Sequence, residues 1–259
     1  MLILNDGRTY YFNSNGDRVT KGGWYHINYD NMVFVTGGGS HYVKERIYKA
    51  SGIFRKYSFN DSKKSWDMNK NLWKNTGRKL MYFDGSGTCT ILYDQASNIL
   101  YRYISSSKSY KRVSNVIDKL NGSRYYFYDA NGNRRTSSGW KKVNGSTAYY
   151  VCDGGYVTSR YTDQKGTKKV YDFDYSKNTW VQKKNMWKTV YRSRYYFGSK
   201  GVATMSYNNS TKKAYKFTGR KWKPAKKLIM KIGNANYYFN SAAKRVVKAG
   251  KYKTADGYI

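Results

Sequence analysis

The chain has 259 residues, with 49 Lys and Arg against 15 Asp and Glu for a formal net charge of +34, and it carries 30 Tyr, 7 Trp and 10 Phe. Aromatic residues this frequent and evenly spaced exclude a disordered polyelectrolyte, and no apolar run is long enough to cross a bilayer as a helix. So large a positive surplus repels itself unless an anionic partner screens it, which implies nucleic acid, anionic lipid or an anionic wall polymer.

In chain order, Met1 to Leu4 is too short for the apolar core of a secretion signal. Short aromatic strands then end at Phe12, Val35, Phe59, Phe83, Tyr103, Phe127, Val151, Phe173, Phe197, Phe217 and Phe239, spaced by 20–24 residues, so eleven units repeat. Units five apart agree in detail. Tyr10-Tyr11-Phe12, Asn15-Gly16 and Gly23-Trp24 match Tyr125-Tyr126-Phe127, Asn131-Gly132 and Gly139-Trp140. Tyr57, Phe59, Trp66 and Trp73 match Tyr171, Phe173, Trp180 and Trp187 at a constant offset of 114. The chain therefore reads as a tandem duplication of a five-unit block.

Each unit has room for two strands and two turns, and Asn15-Gly16 and Asn131-Gly132 suit a type I′ or G1-bulge turn. Ser114 to Leu120 is too short to stand as a helix. The expected fold is all-β: tandem β-hairpin repeats of 20–24 residues stacked as an elongated solenoid, with two compact β domains in tandem as the alternative. The expected divisions are 1–117, 118–232 and a partial eleventh unit at 233–259. Tyr252 to Ile259 reads as a unit cut short, so the chain is expected to be an excerpt of a longer exported protein. Leu, Ile and Val are sparse, so aromatics are expected to build the core.

Catalytic chemistry has few carriers. Glu45 is the only Glu, and the Asp residues fall mostly in turns such as Asp84-Gly85 and Asp153-Gly154, which leaves no home for a glycosidase carboxylate pair. Asp172 and Asp174 flank Phe173, but their first-block equivalents are Ser58 and Asn60, which favours a structural role. His26 and His41 lie in loop-like sequence without a nucleophile beside them, and with Cys89 and Cys152 they make no convincing metal set. Cys89 and Cys152 are open to three states: one disulfide, two free thiols or apolar filler. No cofactor, no metal and no enzymatic activity are expected.

The segments Gly7 to Trp24 and Gly122 to Trp140, with partial matches at Arg194 to Gly201 and Asn236 to Asn240, resemble the aromatic cell-wall-binding or glucan-binding repeats of Gram-positive surface proteins. The resemblance covers nearly the whole chain through its periodicity, and it extends to surface adhesins of lactic-acid bacteria. It implies stacked hairpins that bind choline-decorated teichoic acid, glucan or other wall polymers from an extracellular, wall-associated position. In the choline-binding branch a Trp precedes the Tyr pair; here Thr9, Arg124, Arg194 and Asn236 stand there, so an aromatic cage for choline is not expected.

With the net charge, that departure points to an anionic wall polymer, teichoic or lipoteichoic acid. Arg124, Arg134, Arg135, Lys141, Lys142, Arg192 and Arg194 are the expected anion-binding residues. Trp24, Trp140, Tyr126 and Tyr196 are the expected sugar-stacking residues, while Trp66, Trp73, Trp180 and Trp187 recur so regularly that core is expected for them. Neutral glucan or exopolysaccharide binding and host-glycan adhesion are the alternatives, with specific nucleic-acid binding less favoured because no recognised motif is present.

Overall fold

A computed structural model describes residues 2–3, 7–248, 250, 253–254 and 257–258. Among them the only helical element is a single 3₁₀ turn at Ser105–Ser107, and all other regular structure is β-strand. Strands paired with their sequence neighbours run antiparallel, because connections of two to seven residues leave no length for a parallel crossover. The all-β repeat architecture expected from the periodicity is the one observed.

The hairpins merge into four five-stranded meanders. Sheet I comprises Gly23–His26, Asn31–Val35, Val43–Ala50, Ile53–Asn60 and Ser65–Met68; sheet II comprises Leu72–Asn75, Lys79–Phe83, Cys89–Asp94, Ile99–Ile104 and Ser109–Arg112. Sheet III holds Gly139–Lys142, Thr147–Val151, Val157–Gln164, Thr167–Asp174 and Thr179–Gln182; sheet IV holds Met186–Val190, Ser193–Phe197, Ala203–Asn208, Ala214–Phe217 and Trp222–Pro224. Two-stranded hairpins follow sheet II, at Val116–Lys119 with Tyr125–Tyr128, and sheet IV, at Leu228–Ile232 with Ala235–Phe239. The chain separates into two compact units: Met1–Ser114 with Tyr128–Arg134, which contains sheets I and II, and Asn115–Phe127 with Arg135–Ile259, which contains sheets III and IV. Of the C-terminal segment expected to be a truncated unit, Tyr252 and Ile259 lie outside the described residues.

The duplication extends to irregularities. A bulge falls between Phe34 and Val35 in sheet I and between Tyr150 and Val151 in sheet III. Another falls after Cys89 in sheet II, and its counterpart lies between Tyr196 and Phe197 in sheet IV. The long central hairpins of sheets I and III both close on two consecutive left-handed residues, Ser51 (φ 51) with Gly52 (φ 82) and Lys165 (φ 50) with Gly166 (φ 83), as a type I′ turn requires.

At Asn15-Gly16 only the glycine is left-handed, with φ 84; the Gly16 amide donates to the Asn13 carbonyl at 3.1 Å, so the bulge form of the turn is adopted. The pairing of the aromatic triplets is corrected by one residue. Phe12 bridges Arg18 as Tyr128 bridges Arg134, so Tyr10-Tyr11-Phe12 corresponds to Tyr126-Phe127-Tyr128 and not to Tyr125-Tyr126-Phe127. In a strand, a one-residue slip exchanges the two faces. His26 is likewise corrected from loop to the last residue of a strand, and Ser114–Leu120 forms a strand over Val116–Lys119.

The core is shared between aromatic and aliphatic side chains, where aromatics alone were expected to build it. The first unit buries Met32, Ile47, Phe54, Met81, Phe83, Cys89 and Leu92 together, with Trp24, Tyr101 and Tyr110 packed only partly buried against them. In the second unit Tyr207, Ala214, Ala225, Met230, Ile232 and Phe239 form one cluster, flanked by Trp187 and Tyr237. Aliphatic side chains, Phe and a set of buried tyrosines that includes Tyr42, Tyr128 and Tyr207 fill the centre, while the tryptophans stand at the margin. Trp66 and Trp180 pack this way against Phe59 and Phe173, at 5.4 and 5.0 Å between ring centroids.

Candidate functional site

A few of the cations are engaged inside the fold. Arg46, on the third strand of sheet I, lies over the rings of Trp66, Tyr57 and Tyr48 at 4.3, 5.3 and 5.5 Å. Arg160, its counterpart in sheet III, lies over Tyr171 and Trp180 at 4.6 and 5.0 Å. Both Nε atoms are buried without a hydrogen-bond partner, so the aromatic faces supply the compensation.

Each unit also holds one carboxylate under a lysine at a matching place. In sheet I, Glu45 receives Lys74 at 2.6 Å and the buried Lys56 at 3.4 Å, and its ladder partner across the strands is Ser58. In sheet III the two residue types are exchanged: Ser159 occupies the Glu45 position and Asp172 the Ser58 position, with the Ser159 hydroxyl donating to Asp172 at 2.6 Å. Lys188, equivalent to Lys74, bonds to Asp172 at 3.1 Å, and Lys183 lies 3.4 Å from it. Burial alone would raise the Asp172 pKa, but the Ser159 hydrogen bond and the two ammonium groups outweigh it and hold the carboxyl below its ordinary value. Asp174 binds the Ser176 and Lys177 amides and caps a turn.

The exchange has a consequence for the tryptophan at the head of each sheet. In the first unit the Lys74 ammonium sits 5.1 Å over the ring of Trp24, and the turn after Asn75 passes through Gly77 at φ 82. In the second unit Lys188 is drawn to Asp172, and the residue equivalent to Gly77 is Tyr191, held left-handed at φ 54 with half of its surface exposed. A left-handed tyrosine is strained, and such residues gather at functional positions.

Tyr191, Trp140 and Tyr150 line an open cleft of about 610 Å³ with Gly139, Thr158, Ser159, Lys188 and Thr189. The Trp140 ring lies 5.5 Å from Tyr150 and 6.4 Å from Tyr191, and its indole N–H donates to the Thr189 carbonyl at 3.0 Å, which fixes its orientation. The result is an aromatic slot lined also by the Ser159 and Thr158 hydroxyls and the Lys188 ammonium, suited to the C–H face and hydroxyl edge of a sugar ring.

Trp140 is the one sequence-predicted stacking residue in this cleft. Tyr196 lies against Trp187 at 5.6 Å, and Tyr126 is half-buried in its strand. Among the expected anion-binding residues, Arg124 lies over the Tyr156 ring at 4.4 Å and Lys141 donates to Ser137 at 3.0 Å. Arg135, Lys142 and Arg192 are exposed, whereas Arg134 and Arg194 are half-buried. Arg134 and Arg135 belong to different units. Sequence reasoning missed Tyr191; the signal available was a Tyr-Arg pair where the first copy has Gly77-Arg78.

Cys89 and Cys152 are free thiols; burial pushes the Cys89 thiol up to about 12. Among the described residues no group of three or more His, Cys, Asp or Glu is arranged to hold a metal ion, and no helix is long and apolar enough to cross a membrane.

No family model matches the sequence. Glucosyltransferase-I of Streptococcus downei is 26% identical over 232 residues, which cover 74% of this chain; the matched segment is 13% of the length of that protein. Among solved structures, choline binding protein F of Streptococcus pneumoniae, determined with a peptidoglycan analogue, is 16% identical over 98% of this chain and 90% of that one, with a TM-score of 0.29. Alternansucrase in complex with isomaltononaose is 16% identical over 98% of this chain and 16% of that one, with a TM-score of 0.28.

Proposed function

We propose that this chain is a non-catalytic, extracellular module that attaches a surface protein to an anionic wall polymer, teichoic or lipoteichoic acid. The observation that carries the reading is the net charge of +34 on a folded, turn-rich β protein, since solubility alone does not call for charge this one-sided. Each exposed Lys or Arg meets one phosphate through a charge-assisted hydrogen bond, and a repetitive polymer meeting a repetitive fold multiplies many weak contacts. Arg124, Arg135, Lys142 and Arg192 are exposed for this role.

A second reading, a module for neutral glucan or exopolysaccharide, is favoured by the Trp140–Tyr191 cleft. It is supported by the similarity to a protein named for glucosyl transfer. The two readings part on salt. The test is a pull-down on purified cell walls and on walls stripped of teichoic acid, across a salt series, with soluble glucan as competitor. Binding lost on stripping and weakened steeply by salt supports the anionic polymer; salt-insensitive binding displaced by glucan replaces it with the neutral-glycan reading.

A further inference from the structure

The basic residues are scattered along the chain, but the acids are not. Between Tyr175 and Ala255 there are 21 Lys and Arg and no Asp or Glu, whereas the stretch 114 residues earlier, 61–141, carries six acids, four of them, Asp61, Asp67, Asp84 and Asp94, within the first copy. The second copy has lost its compensating charge from sheet IV onward.

The structure places these cations outward. Lys213, Lys216, Arg220, Lys221, Lys223 and Lys231 are all exposed, as is Lys244. Sheet IV and the bridge beyond it set like charges face to face: Lys216 pairs with Lys223 across adjacent strands, and Lys213 with Lys244. Directly opposed like charges weaken a sheet. At the Lys213–Lys244 place the first unit has the neutral pair Ile99 and Asn133. Five first-unit cations are matched, Lys44 and Arg8 with Asp61, Lys49 with Asp30, and Lys56 and Lys74 with Glu45, whereas the matched cations of the second unit, Lys168, Lys177, Lys183 and Lys188, all draw on acids of sheet III. Among the described residues none of Lys213, Lys216, Arg220, Lys221, Lys223 or Lys231 has a carboxylate partner. A surface that costs the fold stability and carries no internal compensation is one shaped by an external anion.

The aromatics of this region argue against nucleic acid as that anion. Single strands need exposed rings for base stacking, but here Phe239 and Tyr207 are buried. Trp222 is half-buried, donating its indole N–H to the Gly166 carbonyl at 3.0 Å and lying 5.3 Å from Phe217. We propose that the lysine surface of sheet IV and the Leu228–Phe239 hairpin is the docking surface for a linear phosphate-bearing polymer, and that the first unit contributes little to this contact. The proposal rests on the anionic-polymer reading and assigns it to one place.

The test compares two six-fold variants of the full chain. One carries K213Q, K216Q, R220Q, K221Q, K223Q and K231Q; the other carries K63Q, K64Q, K70Q, R78Q, K108Q and K111Q, equally exposed cations of the first unit. Linear inorganic polyphosphate is titrated across salt, with wall-linked poly(glycerol phosphate) and lipid-linked polymer in vesicles as parallel arms that separate the two natural sources. The second-unit variant is expected to lose at least roughly tenfold in affinity, and the slope of log K against log salt to fall by about 4, roughly 0.7 for each lost phosphate contact. The first-unit variant is expected to lose less than about threefold, its loss coming only from the weaker long-range field.

Equal losses in the two variants, or an unchanged second-unit variant, overturn the assignment while leaving salt-dependent wall binding intact. Wild-type protein that ignores every phosphate polymer but binds walls overturns the anionic reading itself. Single-stranded DNA bound more tightly than polyphosphate, with the same loss in the second-unit variant, overturns the choice of partner. Circular dichroism of both variants confirms that the folded state is being compared.

Discussion

Replacing Tyr191 by Gly returns the second unit to the residue of the first, Gly77. The substitution separates a binding residue from a packing residue. Relief of the left-handed backbone is worth about 1–2 kcal/mol. Against it stand the lost ring contact with Trp140, about 0.5–1.5 kcal/mol, and the extra freedom of Gly in the unfolded chain, about 0.4–1 kcal/mol. Half of the ring is already in solvent, so little further burial is lost. The terms cancel to within about 1 kcal/mol, and Tm should move by no more than roughly 4 °C in a domain of this size.

Affinity for a soluble glucan oligosaccharide should fall by contrast, because one of three walls of the cleft is gone; a loss of about 1–2 kcal/mol is five- to thirtyfold in Kd. Differential scanning calorimetry and isothermal titration on the same preparation read both quantities. A fall in Tm beyond roughly 8 °C makes Tyr191 a core residue. Oligosaccharide binding that exists in the wild type and is unchanged in the variant removes the cleft from consideration as a sugar site.

The two type I′ turns should respond differently to the same change. A Cβ on Gly52 would stand 2.2 Å from the Lys108 carbonyl oxygen, whereas on Gly166 the nearest atom is the Phe217 ring at 3.7 Å. Gly52→Ala should therefore cost about 3 kcal/mol or more in denaturant unfolding, and Gly166→Ala only the left-handed penalty of about 1–2 kcal/mol; equal costs would mean the turns are equally free. Arg46→Gln should cost about 1–2 kcal/mol through its lost stacking, while exposed Arg135→Gln should cost nothing measurable. Burial lowers the Lys79 ammonium to about 8, so between pH 8 and about 10 the unfolded chain binds more protons. Stability should therefore rise with pH by up to about 1.4 kcal/mol per unit and stay level below 8. Lys79→Met should flatten that rise, and a parallel curve would show that Lys79 is not its source. A thiol reagent should label half-buried Cys152 in the native protein and reach Cys89 only on unfolding.

Strand positions were legible because turns and aromatics carry them: strands or their penultimate residues fall at Val35, Phe59, Phe83, Val151, Phe173 and Phe197. The core was less so. Counting residue types favoured the aromatics, but burial is decided by cross-section, and Val, Met and Leu fit between sheets where Trp does not. The merging of hairpins into meanders also escaped, because strands of one hairpin and strands of consecutive hairpins share the same alternating pattern. At the candidate site, Trp140 was visible through its repeat and Tyr191 was not, since its meaning lies in a backbone angle. The acid–hydroxyl exchange between Glu45 and Ser58 on one side and Ser159 and Asp172 on the other likewise shows only once the ladder register is known.

That exchange makes the two copies non-interchangeable strand by strand. A crossover that brought Val157–Gln164 into the first unit would set Ser159 opposite Ser58 and leave Lys56 and Lys74 with no carboxylate. The reciprocal product would set Glu45 opposite Asp172, two acids roughly 5 Å apart at Cβ. Neither hybrid keeps the charge balance that either parent has. Recombination between the copies is therefore tolerated only where whole sheets move together, and a family growing by further duplication should inherit this block as an indivisible cassette.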